Sequence, residues 1–364
     1  MASFVKSFLR FFPTPQFLAM PAVGLDVSDR AIRFVEFGRR SGLPVLKNFG
    51  EIILPEGLVV GGEIKKPKEL SEILTQVKAR TGLKFARVAL PEEKAYLFRT
   101  VIPKVEAKEV RSLLEFKLEE NVPLSPAEVI FDYEIIPSRG PKSGNELEIS
   151  VSAIPRQFVV DFSNVLGLAG LTPISFEVEA RAFVRTLLKK NDSRATIIVF
   201  FKETKTVLAV AIGNLIYFTS TLSISGEMLT KTLANTLKIA PEVARRLKAE
   251  KGLAGYKENL DVFASLTTVL AALKDEISRI MIYWNSHEKI HNRVEQDISR
   301  VVFCGQDSAI PGFDVYMRAA LGVEVAVGNV WLNAFDFDDC IPDISQSESL
   351  NYATAIGLAL PKEL

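Results

Sequence analysis

Val23-Gly24-Leu25-Asp26-Val27-Ser28-Asp29-Arg30-Ala31-Ile32-Arg33-Phe34-Val35-Glu36-Phe37 decides the architecture. One apolar strand delivers a carboxylate, Asp26, into a tight turn, and a second apolar strand leaves it. The backbone amides of such a turn can hold a metal-bound polyphosphate against the acid. The pattern recurs in degraded form from Ala195 to Thr221. There Ile197-Ile198-Val199-Phe200-Phe201-Lys202-Glu203-Thr204-Lys205-Thr206-Val207-Leu208-Ala209-Val210 puts Phe200 and Lys202 where an acid and a glycine are expected. This duplication predicts two related lobes facing a cleft, with one half of a phosphate clamp intact and the other eroded.

Around these segments, composition sets bounds. The 364 residues suffice for two or more cores, and 48% apolar with 24% charged residues is ordinary globular usage. Lysine plus arginine equals aspartate plus glutamate at 44 each, so no overall field draws the chain to nucleic acid, and none is expected as a partner. Cys304 and Cys340 make no disulfide framework and fit a reducing compartment, so a cytoplasmic location is expected. No window offers the ~18 uninterrupted apolar residues of a membrane-spanning helix. At ~100° per residue Phe4, Val5, Phe8, Leu9, Phe11 and Phe12 share one arc, opposite Lys6, Ser7 and Arg10. That predicts a surface amphipathic helix stopped by Pro13 and Pro15, rather than a signal peptide, with Phe4, Phe8, Leu9, Phe11 and Phe12 contacting a partner or membrane.

Along the chain, strands are expected at Ala22 to Val27, Ala31 to Phe37 and Pro44 to Leu54, then a helix at Glu69 to Thr81 and a strand at Lys84 to Leu90. From Pro91 to Pro155 a strand, a charged amphipathic helix and two more strands read as a small α+β insert, with 138–144 as a mobile hairpin tip. A helix at Gln157 to Ala169 and a strand at Thr172 to Glu177 return to the first lobe. A second meander follows at Thr196 to Ser223, then helices at Gly226 to Leu237, Ala240 to Lys251 and Leu260 to about His287, and a strand at Arg300 to Cys304. The expected units are 1–21 (the amphipathic segment and linker), 22–90 plus 156–190 (first lobe), 91–155 (insert) and 191–364 (second lobe).

Five segments in order carry a family resemblance. They are Gly24-Leu25-Asp26 with Ile32 to Phe37; Val122-Pro123-Leu124 with Glu128-Val129 and Phe131-Asp132-Tyr133; Phe176-Glu177-Val178-Glu179-Ala180; Arg300 to Gly305 with Pro311-Gly312-Phe313; and Tyr352 to Leu360. The chain resembles the PilM family of type IV pilus assembly, actin-like proteins related to the cell-division protein FtsA. The resemblance implies a duplicated, ribonuclease-H-like two-lobe α/β fold, ATP and magnesium in the cleft, and an insert that helps bind the cytoplasmic tail of a membrane partner, PilN. It places the cofactor contacts at Asp26, Ser28, Thr204, Thr206, Gly305 and Gln306, with Asp26 toward magnesium.

The pattern is broken at each contact. Ser28 stands for a glycine and restricts φ, Phe200 and Lys202 replace the second acid and glycine, and Gln306 and Asp307 replace glycines of the third segment. Side chains added there obstruct the close approach that phosphate needs, although Lys202 could meet a phosphate as a point charge. Asp26 is either a water-mediated magnesium ligand or a turn acid bonding its own backbone. Glu179 either orients a water or complements the dipole of its helix.

His287-Glu288-Lys289-Ile290-His291 fits a zinc-protease motif and contains the only two histidines. Its polar surroundings and the strand due by Arg300 point instead to a frayed helix end, and no zinc is expected. The leading expectation is a scaffold peripheral to the inner membrane with an eroded nucleotide cleft. An active ATPase is the alternative, and a zinc peptidase using His287, Glu288 and His291 the remote one.

Overall fold

The computed structural model describes residues 21–40, 43–136, 145–254, 259–290, 296–338 and 340–360. The amphipathic segment with Phe4, Phe8, Leu9, Phe11 and Phe12, the hairpin tip at 138–144, and His291 lie outside the described residues.

The first half runs β1 (Ala22–Val27), β2 (Ala31–Arg40), β3 (Leu43–Ile53), a short hairpin of β4 (Val59–Val60) and β5 (Glu63–Ile64), α1 (Pro67–Thr81) and β6 (Phe85–Leu90). A single 3-10 turn, Glu92–Lys94, leads into β7 (Tyr96–Pro103), α2 (Ala107–Asn121), β8 (Val129–Ile136) and β9 (Glu146–Pro155), and then into α3 (Arg156–Leu168), β10 (Thr172–Val178) and α4 (Glu179–Leu187). The second half runs β11 (Ala195–Phe201), β12 (Thr206–Ile212), β13 (Leu215–Leu222), α5 (Gly226–Leu237), α6 (Pro241–Lys251), α7 (Leu260–Ile290), β14 (Arg300–Cys304), α8 (Phe313–Leu321), β15 (Glu324–Val327), α9 (Gln346–Ser349) and α10 (Ala353–Ala359).

Two five-stranded sheets repeat one plan. Their orders are β3-β2-β1-β6-β10 and β13-β12-β11-β14-β15. In each, an antiparallel meander is extended on its first strand by two parallel strands. Helical crossovers supply the parallel connections, which is why the inner strands β1 and β11 are buried on both faces.

Alternation along β1 and β11 sets the layers. Val23, Leu25 and Val27 pack with Leu70, Leu74 and Val77 of α1 and Phe162, Val165 and Leu166 of α3. Ile197, Val199 and Phe201 pack with Leu229 of α5, Leu266 and Leu270 of α7 and Phe313 of α8. The opposite faces meet a shared central layer, where Ile198 and Phe200 pack with Ala180, Phe183 and Val184 of α4 and Ala355, Ile356 and Ala359 of α10.

That layer is thin because its contacts are backbone to backbone. A Cβ built on Gly24 would lie 2.1 Å from the Ala355 carbonyl, and one on Gly357 would lie 2.0 Å from the Ala182 carbonyl. Thr186 Oγ1 donates to both Ala182 O (3.0 Å) and Ala353 O (2.7 Å). Arg185 Nε donates to Gly357 O at 3.0 Å, and Arg87 Nη1 donates to Leu360 O at 3.2 Å, so guanidinium groups satisfy carbonyls that the end of α10 leaves open.

The insert is an antiparallel sheet, β7-β9-β8, with α2 on one face through Val110, Leu114 and Leu118. Ser150 Oγ of β9 donates to Ile216 O of β13 at 3.3 Å, tying the insert to the outer strand of the second sheet.

Candidate functional site: the gap between the sheets

The β1–β2 and β11–β12 turns meet at a gap of about 230 Å³, part of it open to solvent, lined by Asp26, Ser28, Gly62, Glu179, Lys202 and Lys205 among others. Asp26 lies on the central-layer face of β1, as its alternation with Leu25 and Val27 requires. It is 2% exposed, and its Oδ2 has no hydrogen-bond partner among the described residues. Burial pushes its carboxyl above the usual aspartate range, against the pull of Lys202.

Lys202 is the dominant group. It is buried, its Nζ donates to Glu179 Oε1 at 2.6 Å, and it stands 5.1 Å over the Phe200 ring. Burial disfavours its charge, but Glu179 and then Asp26 outweigh that and hold the ammonium above its ordinary value. Burial likewise opposes ionisation of Glu179, and the attraction of Lys202 and Lys205 overcomes it, leaving the carboxyl below its ordinary value. Phe200, at the position of the second acid, packs edge-on against Phe183 of α4 with centroids 5.5 Å apart.

Several of the amides that a phosphate would need are already committed. Ser28 N–H donates to Ala31 O at 2.9 Å, Ser28 Oγ donates to the same oxygen at 2.9 Å, and Ala31 N–H donates to Ser28 Oγ at 3.2 Å. Lys202 N–H donates to Lys205 O, while Gly226 and Glu227 N–H at the start of α5 donate to Lys202 O and Glu203 O. Asp29 accepts from Gly61 and Gly62 N–H at 3.0 and 2.9 Å. Pairs across the gap add to this: Lys205 with Glu93, and Arg30 Nη2 with Glu227 Oε1 at 3.5 Å.

Of the residues singled out from sequence, the structure brings Asp26 and Ser28 together at this gap. Thr204 sits half-buried on the second turn. Thr206 is fully buried and its Oγ1 donates to Ile224 O at 2.6 Å, so its hydroxyl latches β12 to the end of β13. Gly305 has φ +95° and lies where a Cβ would meet Phe201 O at 2.1 Å. Gln306 N–H donates to Asn351 Oδ1 at 2.9 Å, and Asn351 Nδ2 donates to Gln306 Oε1 at 3.1 Å. Asp307 pairs with buried Lys248 at 2.5 Å and presses its Oδ2 against the first residue of α5, 1.6 Å from where a Cβ on Gly226 would be. α7 carries its backbone through His287 and Glu288 to Ile290, and no group of three or more His, Cys, Asp or Glu able to hold a metal occurs among the described residues.

A magnesium polyphosphate does not fit these residues as they stand. Several of the turn amides are spent, and the ammonium of Lys202 is already paired with Glu179. The sequence offered Lys202 as a phosphate contact, whereas in the structure it is committed to Glu179. Sequence reasoning missed Glu92, Glu93, Arg30, Glu227 and Lys248; only the replacement of an acid by a lysine between equivalent turns hinted at an internal pair.

Thr206→Val tests the latch. Loss of its bond leaves a half-buried carbonyl unpaired and costs about 1–3 kcal/mol in a urea titration.

The sequence matches the family model described as Type IV pilus assembly protein PilM over residues 24–363. The chain belongs to the PilM family. No curated protein matches it in sequence. Among solved structures, the PilM-PilN type IV pilus biogenesis complex is similar at TM-score 0.75 and 23% identity, covering 94% of this chain and 98% of that one. The ethanolamine utilization protein EutJ from Carboxydothermus hydrogenoformans aligns at TM-score 0.54 and 17% identity, covering 95% and 90%. MreB 5 of Spiroplasma citri bound to AMPPNP aligns at TM-score 0.52 and 12% identity, covering 93% and 94%. This PilM-family chain has the actin-like two-lobe fold with a small inserted subdomain, and none of its described helices is long and apolar enough to cross a membrane.

Proposed function

We propose that this PilM-family protein is a cytoplasmic scaffold of a type IV pilus, or related secretion or competence, assembly at the inner membrane, peripheral to the bilayer, and that it binds the cytoplasmic tail of a PilN-like membrane protein. The family match over 24–363 carries this reading. The likeness to the PilM-PilN complex over almost the whole chain supports it. The insert of 91–155 is the part we assign to the tail, and 1–21 the part we assign to membrane or platform contact; 22–90 with 156–190 and 191–364 form the two lobes. A synthetic peptide of the tail encoded by a neighbouring PilN-type gene, labelled for fluorescence anisotropy, is expected to bind the full chain saturably. A flat titration at millimolar peptide overturns the assignment.

ATP binding is the second reading, and one observation favours it: the unpartnered Asp26 Oδ2. The committed amides and the Lys202–Glu179 pair weigh against it. Magnesium ATP at a hundred times its dissociation constant would add about 2.7 kcal/mol of stability. We expect no shift in thermal unfolding at millimolar magnesium ATP. A shift abolished by Asp26→Ala would establish the nucleotide site.

A further inference from the structure

The misfit between the gap and a nucleotide has a positive side. Asp26 is the last residue but one of β1 and Glu179 opens α4, and both carboxyls are buried at the same gap, 2% exposed each. Burial raises the carboxyl of Asp26, while the attraction of Lys202 holds that of Glu179 below its ordinary value. Lys202 provides one on the opposite turn, 2.6 Å from Glu179 Oε1, its ammonium held over the Phe200 ring. Farther out, Lys205 pairs with Glu93, and Arg30 reaches Glu227. In each of these pairs one partner belongs to the first half of the chain and the other to the second. At the start of α5, Asp307 pairs with Lys248 and lies against Gly226.

We propose that Lys202 is a resident cation that latches the two lobes together, so that closure of the gap requires neither metal nor nucleotide. The proposal concerns the cleft alone and stands or falls independently of the PilN-type partner. It bears on Asp26, whose Oδ2 lacks a hydrogen bond: the pull of Lys202 offsets part of the cost of burying that carboxyl. It also assigns Phe200 a role, since an acid at that position would add a third buried negative charge to one ammonium.

Lys202→Met tests this directly, because it keeps an unbranched side chain only one atom shorter and deletes its charge. Thermal unfolding is followed in magnesium chloride without nucleotide, with sodium chloride matched for ionic strength. The wild type is expected not to respond to magnesium. Lys202→Met is expected to melt several degrees lower and to regain part of the loss in magnesium, since Glu179 and Asp26 then lose the strongest of the cations acting on them, with only Lys205 and Arg33 left. Adding Glu179→Gln to Lys202→Met is expected to restore stability without metal and to abolish the magnesium response. The proposal is overturned if Lys202→Met melts with the wild type, if its loss is indifferent to magnesium, or if the double variant is no better than the single one. Should Lys202→Met not fold, hydrogen exchange of the wild type decides: the 26–31 and 202–206 amides are expected to exchange equally slowly with and without magnesium ATP. Added protection on ATP would refute the latch.

Discussion

Gly357→Ala lowers the unfolding free energy by about 3 kcal/mol, at the upper end of the overpacking range. Helix propensity alone gives the opposite sign, because alanine in a helix interior is favoured over glycine by ~1 kcal/mol. Packing wins because the added Cβ would lie 2.0 Å from Ala182 O, 2.6 Å from Ala182 C and 2.6 Å from Thr186 Oγ1. Two of these are backbone atoms of α4, and the third belongs to a hydroxyl already bonded to Ala353 O. α10 must therefore back away, stretching the Thr186 bond and the Arg185 contacts to Gly357 O. Gly167→Ala on α3 is the control, since nothing lies within 4 Å of its added Cβ. It should be neutral or slightly stabilising. Urea titration of both variants checks the pair, and a stabilised Gly357→Ala would mean that the two central helices are not in contact.

The second large effect is a pH dependence centred on Glu92, in the 3-10 turn that joins β6 to the insert. Burial pushes its carboxyl up to about 7. The Thr219 hydroxyl and the Ala180 N–H donate to it and pull the other way, while Glu179 and Glu93 push it higher still. The folded protein therefore keeps this proton up to about pH 7, whereas the unfolded chain gives it up near 4.5. Between those values the native state binds more protons, so stability falls by about 1.4 kcal/mol per pH unit as pH rises. The contribution is complete below the unfolded value and lost once pH has passed the folded one, a swing of roughly 3 kcal/mol. Glu92→Gln stays neutral throughout. Its advantage over the wild type should be roughly 3 kcal/mol at about pH 8 and should vanish near pH 4.5. Parallel urea curves across that range, with no widening difference, would show that Glu92 is not held protonated.

The duplicated sheets were legible because the signal is local. Residues alternating over a single strand, as in Val23 to Val27 and Ile197 to Phe201, fix both the strand and its two faces. The reason for Gly24 was not legible, since the carbonyl it accommodates belongs to Ala355, brought to it only by the folded central layer. At the gap, sequence pointed to Asp26 and Ser28, which do meet there, and to Thr206 and Gln306, whose polar groups are engaged elsewhere with Ile224 and Asn351. Pro91-Glu92-Glu93-Lys94 resembles a solvated hinge. Neighbouring carboxylates in it part company, Glu92 toward the buried α4 terminus and Glu93 toward Lys205. That division follows from the convergence of α4, β13 and the second turn, which no window of sequence contains. Lys202 was the intermediate case: its charge reversal relative to Asp26 was visible, but the acid it answers, Glu179, lay in a segment whose first-turn position already explained it.

The pairing of Gly24 with Ala355 has a consequence for biosynthesis. At about 5–20 residues per second on a ribosome, β1 emerges tens of seconds before α10 exists. Throughout that interval the inner face of the first sheet has no cover from α10, and its exposed strand backbone is open to capture by other nascent chains. A trigger-type chaperone that shields this face until translation reaches Ala353 would raise the yield of soluble protein without affecting its final stability.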